Sequence, residues 1–423
     1  MKNILVLAYA ISPSRGSEHS VAWNYVSRMS KYHKLSVLYG TTGEHIGDIS
    51  DMNALERQKD VPNVKFIPVE TDNTIETLNY LNVKGGISYS FYIAYRQWQK
   101  KAYRVAKKLV LKEHYDLIHY LCPIGYREPG YLWKLNLPYI WGPIGGMNNV
   151  PPMLISAIPS FSGKIKLITR TILNTLQFHF SFRVKHAMKR CDILLTATTE
   201  NQLKVKNIFH IGSYWLPENG IINEIRIPPK EKFVFTKMNL IWIGSIDERK
   251  ALIILLKALV LIPPDSPIVL HVVGDGHLGY KMKQYANSHR ISHFIQWHGK
   301  INREDVLSLI KQSHLHIITS LSEANTTVIW EAMSFGVPTM SLDHCGMHDV
   351  ICEKCGIKIP IHSYKQVVFD ISRNLIELIN NPTKLKELSN GVLKCANKFK
   401  WDNRIALFNQ FYDKAIEHYN LQN

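Results

Sequence analysis

Two glutamates, Glu323 and Glu331, lie within one turn-rich stretch, Ser322-Glu323-Ala324-Asn325-Thr326-Thr327-Val328-Ile329-Trp330-Glu331. Carboxylates accept hydrogen bonds from sugar hydroxyls, and the backbone N–H groups at a helix N-terminus bind phosphate. Both groups are expected here. His314 to Thr319 reads as a strand, Asn325 or Thr326 as a helix cap, Trp330 to Met333 as helix, and Gly336 with Pro338 as its stop. Glu323 then falls on a strand-end loop and Glu331 on the helix, with both carboxylates expected to face one cleft.

Such loops need strands to carry them. Short apolar runs alternate with helical patterns along the chain, the signature of parallel sheets built from βαβ units. In the first half the expected strands are Asn3 to Tyr9, Leu35 to Tyr39, Val64 to Val69, Leu117 to Leu121, Tyr139 to Trp141 and Ile193 to Ala197. The pattern breaks near Leu216 to Gly220, and Ile227-Pro228-Pro229-Lys230-Glu231-Lys232 reads as a linker. A second series follows, at Leu240 to Gly244, Ile268 to Val273, Phe294 to Trp297, His314 to Thr319, Thr339 to Leu342 and Ile357 to Ile359. Two Rossmann-like domains are expected, 1–227 and 234–398, with the helical segment 401–423 crossing back to the first. A ligand would sit at the carboxyl ends of the strands, in a cleft between them.

Gly274-Asp275-Gly276-His277-Leu278-Gly279 has the three glycines of a dinucleotide fingerprint, but it follows the second strand of its series rather than the first. A nicotinamide cofactor is therefore not expected.

The glutamate pair, in a strand–loop–helix closing on Gly336-Val337-Pro338, resembles the donor motif of glycosyltransferase family 4, retaining enzymes of the two-domain GT-B fold. The resemblance implies that Glu323 holds hydroxyls of a donor sugar, that the amides of Asn325, Thr326 and Thr327 meet a diphosphate, and that Glu331 holds ribose hydroxyls. In Gly244-Ser245-Ile246-Asp247-Glu248-Arg249-Lys250 a strand ends in glycine and a lysine opens the next helix. Lys250 is the implied electrostatic catalyst, a compact positive charge for a leaving diphosphate. Ser245 stands where the family usually has arginine, and Arg249 is the neighbouring cation. Gly274 and Gly276 resemble the family's loop near the nucleotide. In the first half, Ser14-Arg15-Gly16-Ser17-Glu18 resembles its glycine loop, with Gly16 and Ser17 at the donor phosphates. His119, at the end of Asp116-Leu117-Ile118-His119, resembles the histidine near the sugar's reactive carbon. Trp141 to Gly146 and Glu218-Asn219-Gly220 are further strand-end landmarks. The implied activity is transfer of a hexose-type sugar from a nucleoside-diphosphate sugar to a hydroxyl, with retention, in surface polysaccharide synthesis. The other readings are a sugar-nucleotide epimerase of the same architecture and a non-catalytic polyanion- or membrane-binding protein.

The 423 residues suit two domains, and 46% hydrophobic with 20% charged residues excludes a disordered chain. A formal net charge of +17 points to a polyanionic partner, whether nucleic acid, anionic lipid or phosphorylated substrate. Lys100, Arg104, Lys107 and Lys108 recur at helical spacing. Lys164, Lys166, Arg170, Arg183, Lys185, Lys189 and Arg190 interleave with Ile165, Ile168, Ile172, Leu173, Phe178, Phe180 and Phe182. That mixture suits an interfacial helix on anionic lipid. A lipid-linked acceptor on the inner face of the cytoplasmic membrane is the expected partner, rather than nucleic acid, and the enzyme is expected to be cytoplasmic and peripheral. The opening Met1 to Ala10 reads as a buried strand rather than a signal peptide.

Six cysteines without dense even spacing read as reduced thiols. Cys352-Glu353-Lys354-Cys355, near His344, Cys345 and His348, lacks the second matched pair of a zinc motif. With no Asp-x-Asp in the chain, neither a metal nor another cofactor is expected in the chemistry.

Overall fold

The computed structural model describes residues 1–16, 18–41, 52, 61–84, 86 and 90–422. They divide into two compact units, one of Met1–Met147, Leu176–Asn219 and Trp401–Asn423, the other of Asn148–Thr175 and Gly220–Lys400.

The first unit is built on parallel strands β1 (Asn3–Ala8), β2 (Lys34–Gly40), β3 (Val64–Val69), β4 (Leu117–Cys122), β5 (Tyr139–Ile144), β6 (Ile193–Thr196) and β7 (Tyr214–Trp215), in the spatial order β3-β2-β1-β4-β5-β6-β7. Every residue of β4 and β5 is buried. Those sequences, Leu-Ile-His-Tyr-Leu-Cys and Tyr-Ile-Trp-Gly-Pro-Ile, therefore run nearly continuously apolar, as strands covered on both faces must. Around the sheet stand α1 (Glu18–Met29), α2 (Asn73–Val83), α3 (Ser90–Lys112), the end of α4 (Phe161–Phe180) from Leu176 onward, α5 (Phe182–Arg190) and α6 (Thr199–Phe209). Thr198 caps α6 by accepting from the Asn201 N–H.

The second unit repeats the plan. Strands β8 (Met238–Ile243), β9 (Ile268–Val273), β10 (Ile295–Gly299), β11 (Leu315–Ile318), β12 (Thr339–Leu342) and β13 (Gly356–Ile359) lie in the order β10-β9-β8-β11-β12-β13, all parallel. The helices are α7 (Leu252–Leu259), α8 (Gly279–Ser288), α9 (Arg303–Gln312), α10 (Thr327–Ser334), α11 (Cys345–Val350), α12 (Tyr364–Asn380) and α13 (Pro382–Ala396). Helix α7 is buried at every position but Lys257, because α8 and α12 pack against it. The last helix, α14 (Trp401–Gln422), returns to the first unit, as expected of segment 401–423.

Counted within its own unit, each sheet follows the Rossmann order 3-2-1-4-5-6, with an extra strand in the first. The expected strands all form, within a residue or two at their ends except β5, which runs on three residues past Trp141 to Ile144. The division falls at Gly220 rather than after residue 227, and Lys230–Phe233 is a short 3-10 helix rather than an open linker. Residues 148–175 join the second unit because Val150, Leu154, Ala157, Ile158 and Leu167 belong to its core.

Burial also sets a pH dependence. It lowers His119 and His314 from 6.5 to about 4, and burial with the nearby Lys250 charge lowers His316 to about 3. Unfolded histidines titrate near 6.5 and bind protons that the folded ones refuse. Stability is therefore full above about pH 6.5 and is lost progressively as the pH falls from there towards 4. The denaturant midpoint is expected to be lower at pH 5 than at pH 7.5, and an unchanged midpoint would contradict the buried, neutral placement.

Candidate functional site

In the second unit β8 and β11 are neighbours, with β9 and β10 on one side and β12 and β13 on the other. That order makes β8 and β11 the topological switch point of the sheet, where the loops at their carboxyl ends come side by side. Gly244 to Lys250 follows β8 and Ser320 to Thr326 follows β11. The Lys250 ammonium lies 2.5 Å from Glu323 Oε1, and the Arg249 guanidinium pairs with the same oxygen. Burial pushes the Glu323 carboxyl up, but Lys250 and Arg249 outweigh it and hold the group below its ordinary range.

Local bonds fix this cluster. Asp247 Oδ1 accepts from the Lys250 N–H at 2.8 Å, so Lys250 sits in the turn before α7 rather than opening the helix, and its stem passes over Gly244. The Leu321 N–H donates to Arg249 O at 2.8 Å, and the Thr319 hydroxyl donates to Lys250 O at 2.8 Å. Trp242 Nε1 in turn donates to the Thr319 hydroxyl at 3.0 Å. The two loops are thus stitched together by their backbones. Thr326 is the N-cap of α10, whose first residue is Thr327, and Asn325 is buried beside it. A Cβ at Gly346 would come within 1.4 Å of Ala324 O, so α11 presses on the turn that holds Glu323 and Asn325.

Glu331 on α10 is buried, and burial raises its carboxyl while Arg303, 2.6 Å away, offsets part of the rise. Ser245 is exposed after Gly244. Gly274, at φ +122°, would place a Cβ 2.0 Å from Gly244 O, and one on Gly276 would meet Ile246 O at 2.5 Å. The Ile246 N–H donates to Asp275 O and the Leu278 N–H to Ile246 O. The Gly274–Gly276 loop therefore lies backbone to backbone on the Gly244 loop, an approach only glycine permits.

In the first unit the loop after β1 is held by the Ser12 hydroxyl, which accepts from the N–H groups of Ser14 and Arg15. A Cβ on Gly16 would meet nothing within 4 Å, so the surrounding protein does not demand the glycine. Ser17 lies outside the described residues. Glu18, first residue of α1, accepts from the Ile124 N–H, and burial raises its carboxyl.

The placement of His119 corrects the expectation that it meets a sugar. It is fully buried in β4, with Nε2 2.9 Å from Gly142 O. That carbonyl can only accept, so Nε2 carries the proton and Nδ1 accepts from Tyr412 at 3.0 Å or Tyr25 at 3.2 Å. The two tyrosine hydroxyls also bond to each other. The imidazole is a neutral pin joining α1, β4, β5 and α14. The Glu218-Asn219 landmark is structural as well, since Asn219 Oδ1 accepts from Trp401 Nε1 at 3.2 Å and Glu218 partly offsets the burial that lowers Arg404 to about 9.

Sequence reasoning missed Arg303, Glu18 and Cys395. An N-terminal helical arginine looks like any solvated one until the sheet brings it to Glu331. Glu18 had a local signal, an acid opening a helix straight after the glycine loop. Cys395 stands beside Cys352 and Cys355, whereas His344, Cys345 and His348 do not join them.

Residues 223–392 match the family model described as "Glycosyl transferases group 1". An uncharacterized glycosyltransferase of Methanocaldococcus jannaschii is 23% identical over 233 residues, 49% of this chain and 56% of that protein, so the match spans little more than half of the relative. Among solved structures, Anabaena HepE in complex with UDP and glucose superposes with a TM-score of 0.63 at 14% identity, covering 97% of this chain and 99% of that one. The lipopolysaccharide outer core galactosyltransferase WaaB gives 0.62 at 14% identity, covering 99% of both chains. With two parallel sheets of Rossmann order superposing over nearly the whole chain, the chain has the GT-B fold, and its residues 223–392, which include the loops of Glu323 and Lys250, resemble the group 1 glycosyl transferases.

Proposed function

We propose that this chain is a retaining glycosyltransferase that moves a sugar from a nucleoside-diphosphate sugar to a hydroxyl of a lipid-linked glycan in surface polysaccharide synthesis. The observation that carries the reading is the convergence of Lys250 and Arg249 on one oxygen of Glu323 at the β8/β11 switch point. Two cations held by a partly buried carboxylate are poised for a diphosphate. When the donor enters, they turn to its phosphates and Glu323 turns to the sugar hydroxyls. The first amides of α10 add donors for the same phosphates, and Glu331 takes the ribose hydroxyls. UDP and glucose in the HepE complex support a nucleotide-sugar donor, and the likeness to WaaB, a lipopolysaccharide outer core galactosyltransferase, supports a glycolipid acceptor.

In the transfer, the bond from the anomeric carbon to the diphosphate oxygen breaks. The acceptor oxygen bonds to that carbon on the same face, and its proton passes to the departing phosphate. The protein positions the partners and stabilises charge on the leaving group, with no metal and no catalytic carboxylate nucleophile. A panel of UDP-, GDP- and ADP-sugars should contain one that raises the melting temperature. NMR of its transfer product should show the donor's anomeric configuration. Inversion would overturn the stereochemical part. Isomerisation of the donor without acceptor would mark an epimerase, and no donor turnover at all would leave a binding protein.

Helix α4 supplies the membrane part of the reading. Phe161, Ile165, Ile168, Ile172, Leu176 and Phe180 are all exposed, Phe161 by 79% and Phe180 by 69%. At 100° per residue they fill an arc of roughly 120°, opposite the buried Gly163, Leu167, Asn174 and Phe178. Lys164 and Lys166 flank the arc on its two sides, and exposed Phe182 extends it. No helix among the described residues is long and apolar enough to cross a membrane. An apolar face edged with lysine fits the surface of an anionic bilayer, where the acceptor is anchored. The pair Ile168→Glu and Ile172→Glu should reduce sedimentation with anionic liposomes by about tenfold or more. The donor-induced melting shift should stay unchanged. Sedimentation equal to the parent's would remove α4 from the membrane.

A further inference from the structure

The sulfur atoms of Cys352, Cys355 and Cys395 all lie within 4.8 Å of one another. Cys352 Sγ is 3.4 Å from Cys355 Sγ and 3.2 Å from Cys395 Sγ. They come from separate elements of the second unit, the turn between α11 and β13 and the last turn of α13. A Cβ on Gly391 would stand 1.6 Å from Lys354 O, so the α13 backbone presses directly on that turn at a glycine. Cys395, one helical turn further on the same face, is thereby delivered to the other two thiols. The turn itself is closed by Cys355 N–H to Cys352 O at 2.9 Å and Gly356 N–H to Cys352 O at 3.1 Å. The Cys352 N–H donates to Cys355 Sγ at 3.2 Å, a bond that offsets negative charge on a metal-bound sulfur. Lys354 and Lys398 add positive charge nearby in sequence.

We propose that these three cysteines form a binding site for a thiophilic d10 cation, Zn2+ or Cu+, independent of the transfer chemistry. Thiolate–zinc bonds of about 2.3 Å at tetrahedral angles hold sulfurs about 3.8 Å apart. Two edges of the triangle, 3.4 and 3.2 Å, fall a few tenths of an ångström short of that spacing and the third is at most 4.8 Å, so small side-chain adjustments bring the thiols to it. Soft thiolates select these cations over Mg2+ or Ca2+. Cys355 is buried while Cys352 and Cys395 are half-buried, so the cation enters from solvent and keeps an open position there. With zinc, three thiols lose their protons to solvent as three Zn–S bonds form, and one water fills the fourth position. Binding clamps the turn before β13 to α13. Helix α13 also packs on α10, and Ser389 of α13 donates to Gly336 O at 2.6 Å, so the clamp braces the helix that carries Glu331.

The test uses the full chain, stripped of metal by chelator and kept reduced with a phosphine. Titration with Co2+ should give a thiolate-to-cobalt charge-transfer band that saturates at one equivalent. Zn2+ should then abolish the band, and a separate arm with Cu+ should release the cobalt if the site prefers trigonal coordination. Cys395→Ser should weaken Co2+ binding by about tenfold or more, and Cys345→Ser, outside the triangle, should not. Melting of the metal-free variants checks that they fold, and Cys352→Ser, at the half-buried corner, serves as the second variant. A spectroscopically silent parent, or a folded Cys395→Ser that titrates like the parent, overturns the site.

Discussion

Replacing Lys250 by methionine is expected to lower kcat by about 10^3-fold while weakening donor binding much less. Methionine keeps an unbranched stem over Gly244 but removes the charge that sits 2.5 Å from Glu323. In the ground state that charge is already neutralised by a carboxylate, so its transfer to the donor adds little net binding. In the transition state the diphosphate gains charge as the glycosidic bond breaks, and the ammonium then has more to stabilise. Single-turnover kinetics with a separate donor titration split the two effects. Equal losses in turnover and donor affinity would reduce Lys250 to a binding residue. A secondary effect checks the same geometry. With Lys250 gone, burial is opposed only by Arg249, so the Glu323 carboxyl should rise from its present lowered position.

Gly274→Ala is expected to be strongly damaging, at about 3 kcal/mol or more. A left-side φ of +122° is a glycine conformation, and strain there costs about 1–3 kcal/mol for an L side chain. The new methyl would also lie 2.0 Å from Gly244 O, and relieving such a clash costs a further ~1–3 kcal/mol. Relief would require the Gly274–Gly276 loop to lift off the Gly244 loop, breaking the Ile246-to-Asp275 bond and shifting the turn that orients Lys250. Stability and donor-induced melting shift should therefore fall together. Gly212→Ala is the control, since a Cβ there meets nothing within 4 Å. Equal stability of the two variants would show that the loops are not locked together.

The strands were legible because buried parallel strands are continuous apolar runs, and Ile268–Val273 and Thr339–Leu342 form with the expected ends. Strand β7 was not, because Tyr214–Trp215 is an edge pair too short to show a pattern. Glu323, Arg249 and Lys250 were legible as strand-end residues, since the switch-point rule puts loops of β8 and β11 side by side. The role of His119 was not. A histidine in an apolar strand reads the same whether it faces a ligand or a pair of tyrosines, and Tyr412 enters from the far end of the chain. The grouping of residues 148–175 with the second unit, the Arg303–Glu331 pair and the position of Cys395 share that cause. Each depends on contacts between segments distant in sequence, to which local periodicity is blind.

The pin at His119 has a temporal consequence. Tyr412, Trp401 and the rest of α14 complete the first unit, so its sheet near residue 119 waits for a helix made almost three hundred residues later. The segment Gly220–Lys400 takes only Asn148–Thr175 from upstream, so its core is complete without α14. Until α14 docks, the first unit's sheet is left with its β4 flank uncovered, a window for chaperone capture.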